Sequence, residues 1–537
     1  MAPSPTRTQD ESTQQHLPRQ RRLPMHRPAV TRIPLSRRVI ASFAVVACAA
    51  GTVTVITTSG CDQNGAPVPE WVPRPVDHIP YPQHPFLSPN GTNNMHDDAY
   101  MSDTYEVSGP LPDGAEVTLK KFADNINTCV TITFDRQGRM LTTNVSILDV
   151  SLLLLDPETL DVLATYPLPP RDPSDPLFPY NDTSGATYFV MDNLDRVILT
   201  DSNNAIQVVA YSDDKNAFEL VQRYDLSDVV VPMDAPARDH VQMAIPDWKG
   251  QYLWFTTRYG VVGTLCIASG NVQSTVLAGE EIENSFAVAE DGAYILTDHA
   301  MYRFEVNGDG APVQVWAHPY DRGSHVKPSN FNQGSGTTPQ IFGDLVAISN
   351  NADPRMDILF LKRSTGETVS SIPVFDDGRS TTENALPGLV REGPNGKEYS
   401  VIVDNNYGIE RNKLLTTEGC WTDHAGTLVR IDLVPDARGD YHATQVWRSP
   451  EKSSQLLPKI SLTDGILYVY TYKWLTDEET YDWYLTGIDF FTGKTLFSIP
   501  TGKGLDYTNF GQPLILGPDG HTAYLGTMAG LVRVRNP

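Results

Sequence analysis

A histidine and two aspartates stand together in the stretch "NNMHDDAYMSDTY", residues 93–105. An imidazole beside carboxylates can act as a general base, and the same side chains can bind a metal ion. The triplet His96, Asp97 and Asp98 lies where a proline-rich stretch gives way to a patterned chain, so it could cross the face of the domain that follows. We therefore predict that these three side chains contribute to a catalytic site. A polar turn is the alternative interpretation.

A second set of polar side chains occurs beside strand-like segments farther along the chain, in "ENSF", "SNNAD", "TTEN" and "VDNNYG". Asparagine and carboxylate oxygens suit calcium, which takes about six to eight such ligands. The predicted metal ligands are Glu383, Asn384, Asn350, Asn351, Asp404 and Asn405, and Glu283, Asn284 and Asp353 lie in the same stretches. Turn chemistry is the alternative, because asparagine and aspartate side chains bond to nearby backbone.

Two other kinds of catalytic signal are weak or missing. Four further histidines are scattered without metal-ligand spacing: His240, His299, His325 and His424. The GxSxG motif of serine hydrolases does not occur, and nothing in the sequence indicates a covalent mechanism.

The charge of the chain argues against nucleic-acid binding. Without residues 1–60, which read as an export signal, 33 basic and 63 acidic residues remain. Such a surface repels phosphate backbones, and no basic stripe with interleaved aromatics is present. We predict no nucleic-acid partner.

The N-terminus has the layout of a targeting segment. Residues 1–38 contain eight arginines and two acids, and "VIASFAVVACAAGTVTVIT" follows without a charge. The junction "PLSRRVIAS" resembles a twin-arginine export signal, and "TTSGC" resembles the end of a bacterial lipoprotein box, which implies lipidation of Cys61. A single-pass anchor is the alternative, since the apolar run can just span a bilayer. Both interpretations place the mature chain outside the cytoplasm at a membrane, and Met25 is an alternative start.

Three cysteines remain in the predicted mature chain beyond Cys61, namely Cys129, Cys266 and Cys420. Their odd number and lack of CxxC spacing imply neither a zinc ribbon nor a disulfide framework. One disulfide and one buried thiol would fit, and the sequence does not choose the pair.

The chain divides into an export signal at residues 1–60, a proline-rich stalk at 61–90 and a repetitive domain at 91–537. Hairpin patterns recur with turns near residues 136, 193, 248, 291, 343, 396, 464 and 519. Each is followed by a second strand pair, so the unit has four strands. Regular repetition of such units predicts an all-β fold, a β-propeller with eight blades, with seven blades or a linear β-solenoid as alternatives. The last unit lacks one strand, which "AEVTLKKFA", residues 115–123, is predicted to supply by closing the ring.

The segment "TGIDFFTGKTLFSIPTG", residues 486–502, resembles the repeat of quinoprotein alcohol dehydrogenase-like (PQQ-like repeat) propellers. The resemblance implies the eight-bladed scaffold. It does not extend to bound pyrroloquinoline quinone, because the adjacent cysteine pair that lies by the quinone in those dehydrogenases has no counterpart here.

The asparagine-rich set resembles the metal site of gluconolactonase and paraoxonase-like lactonases, which are propellers with fewer blades. That resemblance implies a cation that polarises an ester or lactone carbonyl, and therefore metal-assisted hydrolysis. We predict a small-molecule ligand in the central funnel of an exported, membrane-tethered propeller, with calcium as the candidate ion. A non-catalytic envelope scaffold or binding lipoprotein with protein partners is one alternative, and a divergent quinoprotein oxidoreductase is another.

Overall fold

The computed structural model describes residues 71–122, 126–146, 149–175, 178, 182–230, 238–410, 413, 421 and 423–537. Within these residues the strands form eight sheets, seven of four strands and one of five, arranged in a ring with almost no helix. This is the eight-bladed β-propeller that the repeat predicts, so the seven-bladed and solenoid alternatives are wrong. No helix among the described residues is long and apolar enough to cross a membrane.

The chain begins with two strands that belong to the end of the ring, β1 (Thr104–Tyr105) and β2 (Glu116–Lys121). The first four blades contain, from inner to outer strand, β3 Asn127–Phe134, β4 Met140–Ser146, β5 Val150–Leu155 and β6 Val162–Leu168; β7 Phe189–Met191, β8 Arg196–Thr200, β9 Ala205–Ser212 and β10 Ala217–Asp225; β11 Val241–Pro246, β12 Tyr252–Thr257, β13 Val261–Cys266 and β14 Val272–Val276; β15 Ala287–Ala289, β16 Gly292–Leu296, β17 Ala300–Val306 and β18 Pro312–Pro319.

The last four blades follow the same order, with a short 3-10 turn at Leu505–Tyr507 between the seventh and the eighth. They contain β19 Gln340–Phe342, β20 Leu345–Ser349, β21 Asp357–Lys362 and β22 Thr368–Pro373; β23 Gly388–Gly393, β24 Gly396–Asp404, β25 Leu428–Pro435 and β26 Tyr441–Ser449; β27 Lys459–Ser461, β28 Ile466–Leu475, β29 Thr480–Asp489 and β30 Thr495–Lys503; β31 Leu514–Leu516, β32 Thr522–Thr527 and β33 Gly530–Arg535.

The eight predicted hairpin turns all join the first two strands of a blade. Aspartate shapes several of them: the Asp135 carboxylate accepts hydrogen bonds from the backbone N–H groups of Gln137 and Arg139, both at 2.9 Å, and Asp192 does the same for Leu194 and Arg196. These bonds hold the turns, and both aspartates are buried.

The ring closes as the sequence predicts. Strand β2 pairs antiparallel with β33, with Thr118 opposite Arg533, and supplies the outer strand of the eighth blade. The N-terminal and C-terminal parts of the domain are therefore joined in one sheet, and the last blade has no missing strand.

Residues 93–105, here called the strap, run across the inner strands of several blades. Carbonyl groups of the strap accept hydrogen bonds from backbone N–H groups of Met191, Val288, Ile341, Gly388 and Ile460, which belong to or adjoin the inner strands of blades two, four, five, six and seven. At its end β1 pairs in parallel with β27. The strap is thus held within the ring by backbone bonds as well as by side chains.

Residues 71–90, part of the predicted stalk, lie along the propeller. The backbone N–H of Val76 donates to Leu462 O at 2.8 Å, and that of Ile79 donates to Val390 O at 2.7 Å. His84 is completely buried. The core consists of apolar clusters between neighbouring blades, the largest of which spans blades two to five.

Candidate functional site

A cavity of about 240 Å³ lies at the centre of the ring. Its wall is built mainly by residues that immediately precede inner strands, such as Asn284 before β15, Thr338 before β19 and Asn384 before β23. Because each blade enters the ring with its inner strand, these short segments converge on the axis. The strap adds Met95 and His96 to the same wall.

Much of this wall is apolar. Met95, Ala385 and Leu457 are buried together and pack against Tyr188, and all four line the cavity. Aromatic rings and other apolar side chains extend the surface, including Phe178, Phe331, Phe510 and Met528. An apolar wall with a few placed polar groups is typical of a small-molecule site.

The imidazole of His96 is held from both sides by buried partners. Its Nδ1 lies 3.0 Å from Asp103 Oδ2, and its Nε2 lies 3.1 Å from the Ser285 hydroxyl. Ser285 Oγ is in turn 2.9 Å from the Thr338 hydroxyl. The Asp103 carboxylate also accepts a hydrogen bond from Lys459 Nζ, and neither of these two side chains has any exposed surface.

The protonation pattern follows from these contacts. Burial would raise the pKa of Asp103, but the charge of Lys459 and the hydrogen bonds from His96 and Lys459 outweigh it and hold that pKa below its usual value. An ionised Asp103 only accepts hydrogen bonds, so the Nδ1 of His96 carries a proton. In the neutral imidazole, Nε2 is then the acceptor and the Ser285 hydroxyl donates to it.

The other two residues of the predicted triplet are buried but do not line the cavity. Asp98 accepts hydrogen bonds from the backbone N–H of Tyr100 at 2.8 Å and from the Ser102 hydroxyl at 2.6 Å, and burial raises its pKa to about 7. Burial, followed by the nearby Asp98 charge, raises the pKa of Asp97 well above its usual value. Asp97 has φ 82°, so its backbone is left-handed. Both aspartates therefore shape the turn that presents His96.

Of the six predicted metal ligands, Glu383 and Asn384 line the cavity. Asp404 lies behind them, where its carboxylate accepts hydrogen bonds from Asn384 Nδ2 at 2.6 Å and Asn406 Nδ2 at 2.9 Å, and burial raises its pKa to about 7. The remaining three, Asn350, Asn351 and Asn405, do not line the cavity and bond to Asp357, to Gln333 and to Arg379.

The described residues contain no group of three or more histidine, cysteine, aspartate or glutamate side chains close enough to hold a metal ion. The scattered histidines also do not line the cavity. Burial lowers the pKa of His240 and of His424 to about 4, so both are neutral at physiological pH. His424 bonds to Tyr472 at 2.5 Å and to Asn405 O at 2.8 Å.

A basic side chain faces the acidic side of the cavity. Arg171 lines the cavity and donates to Ser184 O at 2.9 Å and to Thr187 Oγ1 at 2.8 Å, while Asp182 lies 4.0 Å away. Burial lowers the pKa of Arg171. Arg171 follows the first blade and Glu383 follows the fifth, so in a ring of eight they stand on opposite sides of the axis.

The described cysteines are not paired. Cys129 is buried, and burial raises its pKa to about 12; Cys266 is partly exposed. Cys61 and Cys420 lie outside the described residues.

Sequence reasoning did not single out Asp103, Ser285, Thr338 or Arg171. One signal for two of them existed: Ser285 and Thr338 both stand two residues before an inner strand, at equivalent positions of neighbouring blades. No sequence pattern around Asp103 indicates its role, because its partner Lys459 lies 356 residues away.

Comparisons with known proteins identify no family for this chain. No protein-family model matches the chain, and no curated protein matches it. Similar solved structures include the β-propeller domain of Cps50 (Swd1) from Myceliophteria thermophila, with 9% identity, a TM-score of 0.39 and coverage of 79% of this chain and 99% of that one.

The WD40 domain of SCAP from fission yeast shares 11% identity, with a TM-score of 0.44 and coverage of 79% and 98% of the two chains. A streptogramin B lyase shares 12% identity, with a TM-score of 0.36 and coverage of 79% and 98%. All three are similar in fold. The strand order of its own sheets shows that the described part of the chain is an eight-bladed β-propeller.

Proposed function

We propose that this protein binds a small organic molecule in the cavity on the propeller axis. The observation that carries the proposal is the cavity itself: about 240 Å³, lined by an apolar surface with polar groups converging from several blades. Such pockets bury most of a small ligand and use a few polar contacts to orient it.

The positions of the charged groups define the ligand further. On one side Arg171 offers guanidinium N–H donors beside the Asp182 carboxylate, and on the other side Glu383 and Asn384 offer oxygen acceptors. The rest of the wall is mostly aromatic and aliphatic. The expected ligand is therefore an apolar molecule with hydrogen-bonding groups at two ends, one of them an acceptor for Arg171.

The cellular setting is part of the same proposal. The twin-arginine-like signal and the lipoprotein-like sequence at Cys61 favour export and attachment to the outer face of the cell membrane, with a single-pass N-terminal anchor as the alternative. Both features lie in residues 1–70, outside the described residues. Mass analysis of the mature N-terminus from an exporting host tests them: a diacylated Cys61 supports the lipoprotein, and an intact apolar segment supports the anchor.

Calcium is a separable part of the proposal. Glu383 and Asn384 supply two cavity-facing residues with oxygen atoms, and ligand oxygens or water would complete the shell of about six to eight. Elemental analysis and a thermal melt before and after chelation decide it. One equivalent of calcium whose removal lowers the melting temperature supports the ion. No metal and no chelator effect would remove calcium and leave the ligand cavity untouched.

A role as an envelope scaffold has its own supporting observation. Apolar pairs are exposed on outer strands, as in Val162 with Leu163, Leu220 with Val221, and Val313 with Val315. Crosslinking in the native envelope tests this role. A specific adduct that Val313→Lys with Val315→Lys abolishes would support it, and crosslinks unchanged by those substitutions would contradict it.

The PQQ-like repeat offers a third role, a divergent quinoprotein oxidoreductase. A quinone-dependent absorbance of the reconstituted protein would support that role, and an unchanged spectrum would contradict it.

A thermal-shift screen tests the ligand proposal directly. Compounds of the expected polarity, including esters and lactones, should raise the melting temperature of the wild type, because a ligand that binds only the folded state stabilises it. Ala385→Trp fills the cavity and should abolish the shift. Ala217→Trp places the same ring on an exposed outer strand and should preserve it. Equal shifts in all three proteins would contradict the proposed site.

A further inference from the structure

Hydrogen bonds connect four side chains around His96. The Lys459 ammonium donates to Asp103, His96 Nδ1 lies 3.0 Å from Asp103 Oδ2, and His96 Nε2 lies 3.1 Å from the Ser285 hydroxyl, which donates to Nε2 when the imidazole is neutral. A hydroxyl, an imidazole and a carboxylate in this order are the groups that activate a serine in unrelated hydrolases, where geometry and not sequence position identifies them. Here they come from the strap and from the entrance to the fourth blade.

We propose that Ser285 is an activated nucleophile with His96 as its general base, and that the molecule bound in the cavity is an ester or lactone. The inference rests on the proposed function, because the substrate must occupy the cavity. It deepens that function by naming the reaction as acyl transfer to water through a serine ester.

The position of Ser285 supports access to a bound acyl group. Its chain neighbour Asn284, its hydrogen-bond partner Thr338 and its base His96 all line the cavity. Ser285 itself is 3% exposed and lies directly behind them. Attack therefore requires the Ser285 hydroxyl to give up its bond to Thr338, to keep its contact with His96 Nε2 and to meet an acyl carbon held against these cavity residues.

The reaction balances with groups that are present and water. Ser285 Oγ forms a bond to the carbonyl carbon while its proton moves to His96 Nε2, and the carbonyl π electrons move to oxygen. When the tetrahedral intermediate collapses, the bond to the leaving oxygen breaks and that oxygen takes the proton from His96. Water then attacks the serine ester by the same route, His96 again moving the proton, and releases the acid and the free serine.

Asp103 and Lys459 are positioning residues in this scheme. Asp103 fixes the imidazole tautomer and stabilises the imidazolium that forms, and Lys459 holds Asp103. The competing interpretation is that the whole chain only fastens the strap to the ring. The two interpretations differ in whether the Ser285 hydroxyl is unusually reactive.

A fluorophosphonate probe, which reacts irreversibly with activated serines, separates them. The wild-type protein should gain one adduct, located on Ser285 by peptide mapping, and Ser285→Ala should gain none. Ser335→Ala is the matched control: Ser335 is also buried before an inner strand and bonds to the hydroxyls of Thr337 and Ser349. It should label like the wild type. No adduct in the folded wild type, or an adduct that survives Ser285→Ala, would overturn the inference.

The base is tested with His96→Ala, with a thermal melt to verify folding. Labelling should slow by about 100-fold or more, the usual scale of general-base catalysis, and added imidazole should restore part of the rate. If His96→Ala does not fold, His96→Gln replaces it: the amide keeps a polar side chain between Asp103 and Ser285 but cannot take a proton, so labelling should slow on the same scale. Unchanged labelling in a folded variant would contradict the role of His96.

These outcomes are distinct from failure of the proposed function. Ligands that shift the melting temperature of the wild type but not of Ala385→Trp, in a protein that resists the probe, would retain the binding site and reject the nucleophile. Probe labelling of Ser285 that Ala385→Trp does not slow would place the reaction outside the cavity and contradict the inference, while the ligand site would still be decided by the thermal shifts.

Discussion

The ammonium of Lys459, on the inner strand of the seventh blade, donates to the carboxylate of Asp103 in the strap, and both side chains are completely buried. Lys459 Nζ also donates to Met95 O at 2.6 Å, which fixes the residue preceding His96. The ion pair therefore connects a strand of the ring, the strap and the wall of the cavity.

Removing the lysine should cost much of the stability of the domain. In Lys459→Met the Asp103 carboxylate stays buried without its cation, and breaking a buried pair in this way costs about 3–5 kcal/mol. Denaturant unfolding measures the loss. Lys459→Met combined with Asp103→Asn should recover part of it, since no charge is then stranded.

Lys397→Met is the matched control for that loss. It removes the partner of Asp344 in a solvent-exposed ion pair at 3.2 Å and should change stability little, because exposed pairs contribute little. Equal losses at Lys459 and Lys397 would contradict the structural importance of the buried pair.

Asp98 should contribute a loss of stability as the pH rises between about 4 and 7, opposite in sign to His240 and His424, whose pKa values burial lowers to about 4. The pKa of Asp98 is about 7 in the folded protein against an ordinary value of 3.8, so in this window the unfolded chain releases a proton that the folded chain keeps. The contribution is at most about 4 kcal/mol at roughly 1.4 kcal/mol per pH unit. Asp97 and Asp404 act in the same direction.

Asp98→Asn preserves the size of the side chain and removes its titration. The change in unfolding free energy from pH 5 to pH 8 should therefore be more positive in the variant than in the wild type, by up to about 3 kcal/mol. Asp103 does not obscure the comparison, since its pKa is lowered and its contribution is lost only as the pH falls below the ordinary value of 3.8. An identical pH dependence in both proteins would contradict the burial of Asp98 as an acid.

Ring closure should depend on the apolar face of β2. Val117 and Leu119 pack against the core cluster that joins the last two blades to the first, while Glu116 is exposed at the start of the strand. Val117→Asp with Leu119→Asp should lower the melting temperature by several degrees, because charge is placed against an apolar surface. Glu116→Gln should leave it unchanged. Equal melting temperatures for all three proteins would contradict closure by this strand.

The two described thiols should differ in reactivity. Cys129 is buried with a pKa raised to about 12 by burial, whereas hydrogen bonding from Ser269 lowers the pKa of the partly exposed Cys266. A thiol reagent followed by peptide mapping should modify Cys266 in the native protein and Cys129 only after unfolding. Rapid native modification of Cys129 would contradict the packing of the first blade.

The sequence predicts the fold well because the signals that define it lie in short segments of the chain. Three kinds of signal each span one blade or less. They are the alternation of apolar residues, the aspartate-containing turns and the extra strand-like segment at residues 115–123. The eight turns and the closing strand follow from these signals without knowledge of any distant contact.

The site is predicted only in part because its residues meet from distant parts of the chain. His96 lies in the wall of the cavity, but its carboxylate partner is Asp103, and not the adjacent Asp97 or Asp98. Ser285 lies 189 residues from His96. A local pattern does not encode which of many polar residues before inner strands will meet the strap.

Native mass spectrometry with the strongest compound of the thermal-shift screen tests the central claim, that the cavity on the axis is the ligand site. We expect one equivalent of the compound to bind the wild type and Ala217→Trp, and none to bind Ala385→Trp at the same concentration. One equivalent bound equally to all three proteins would place the ligand elsewhere on the molecule and contradict the claim.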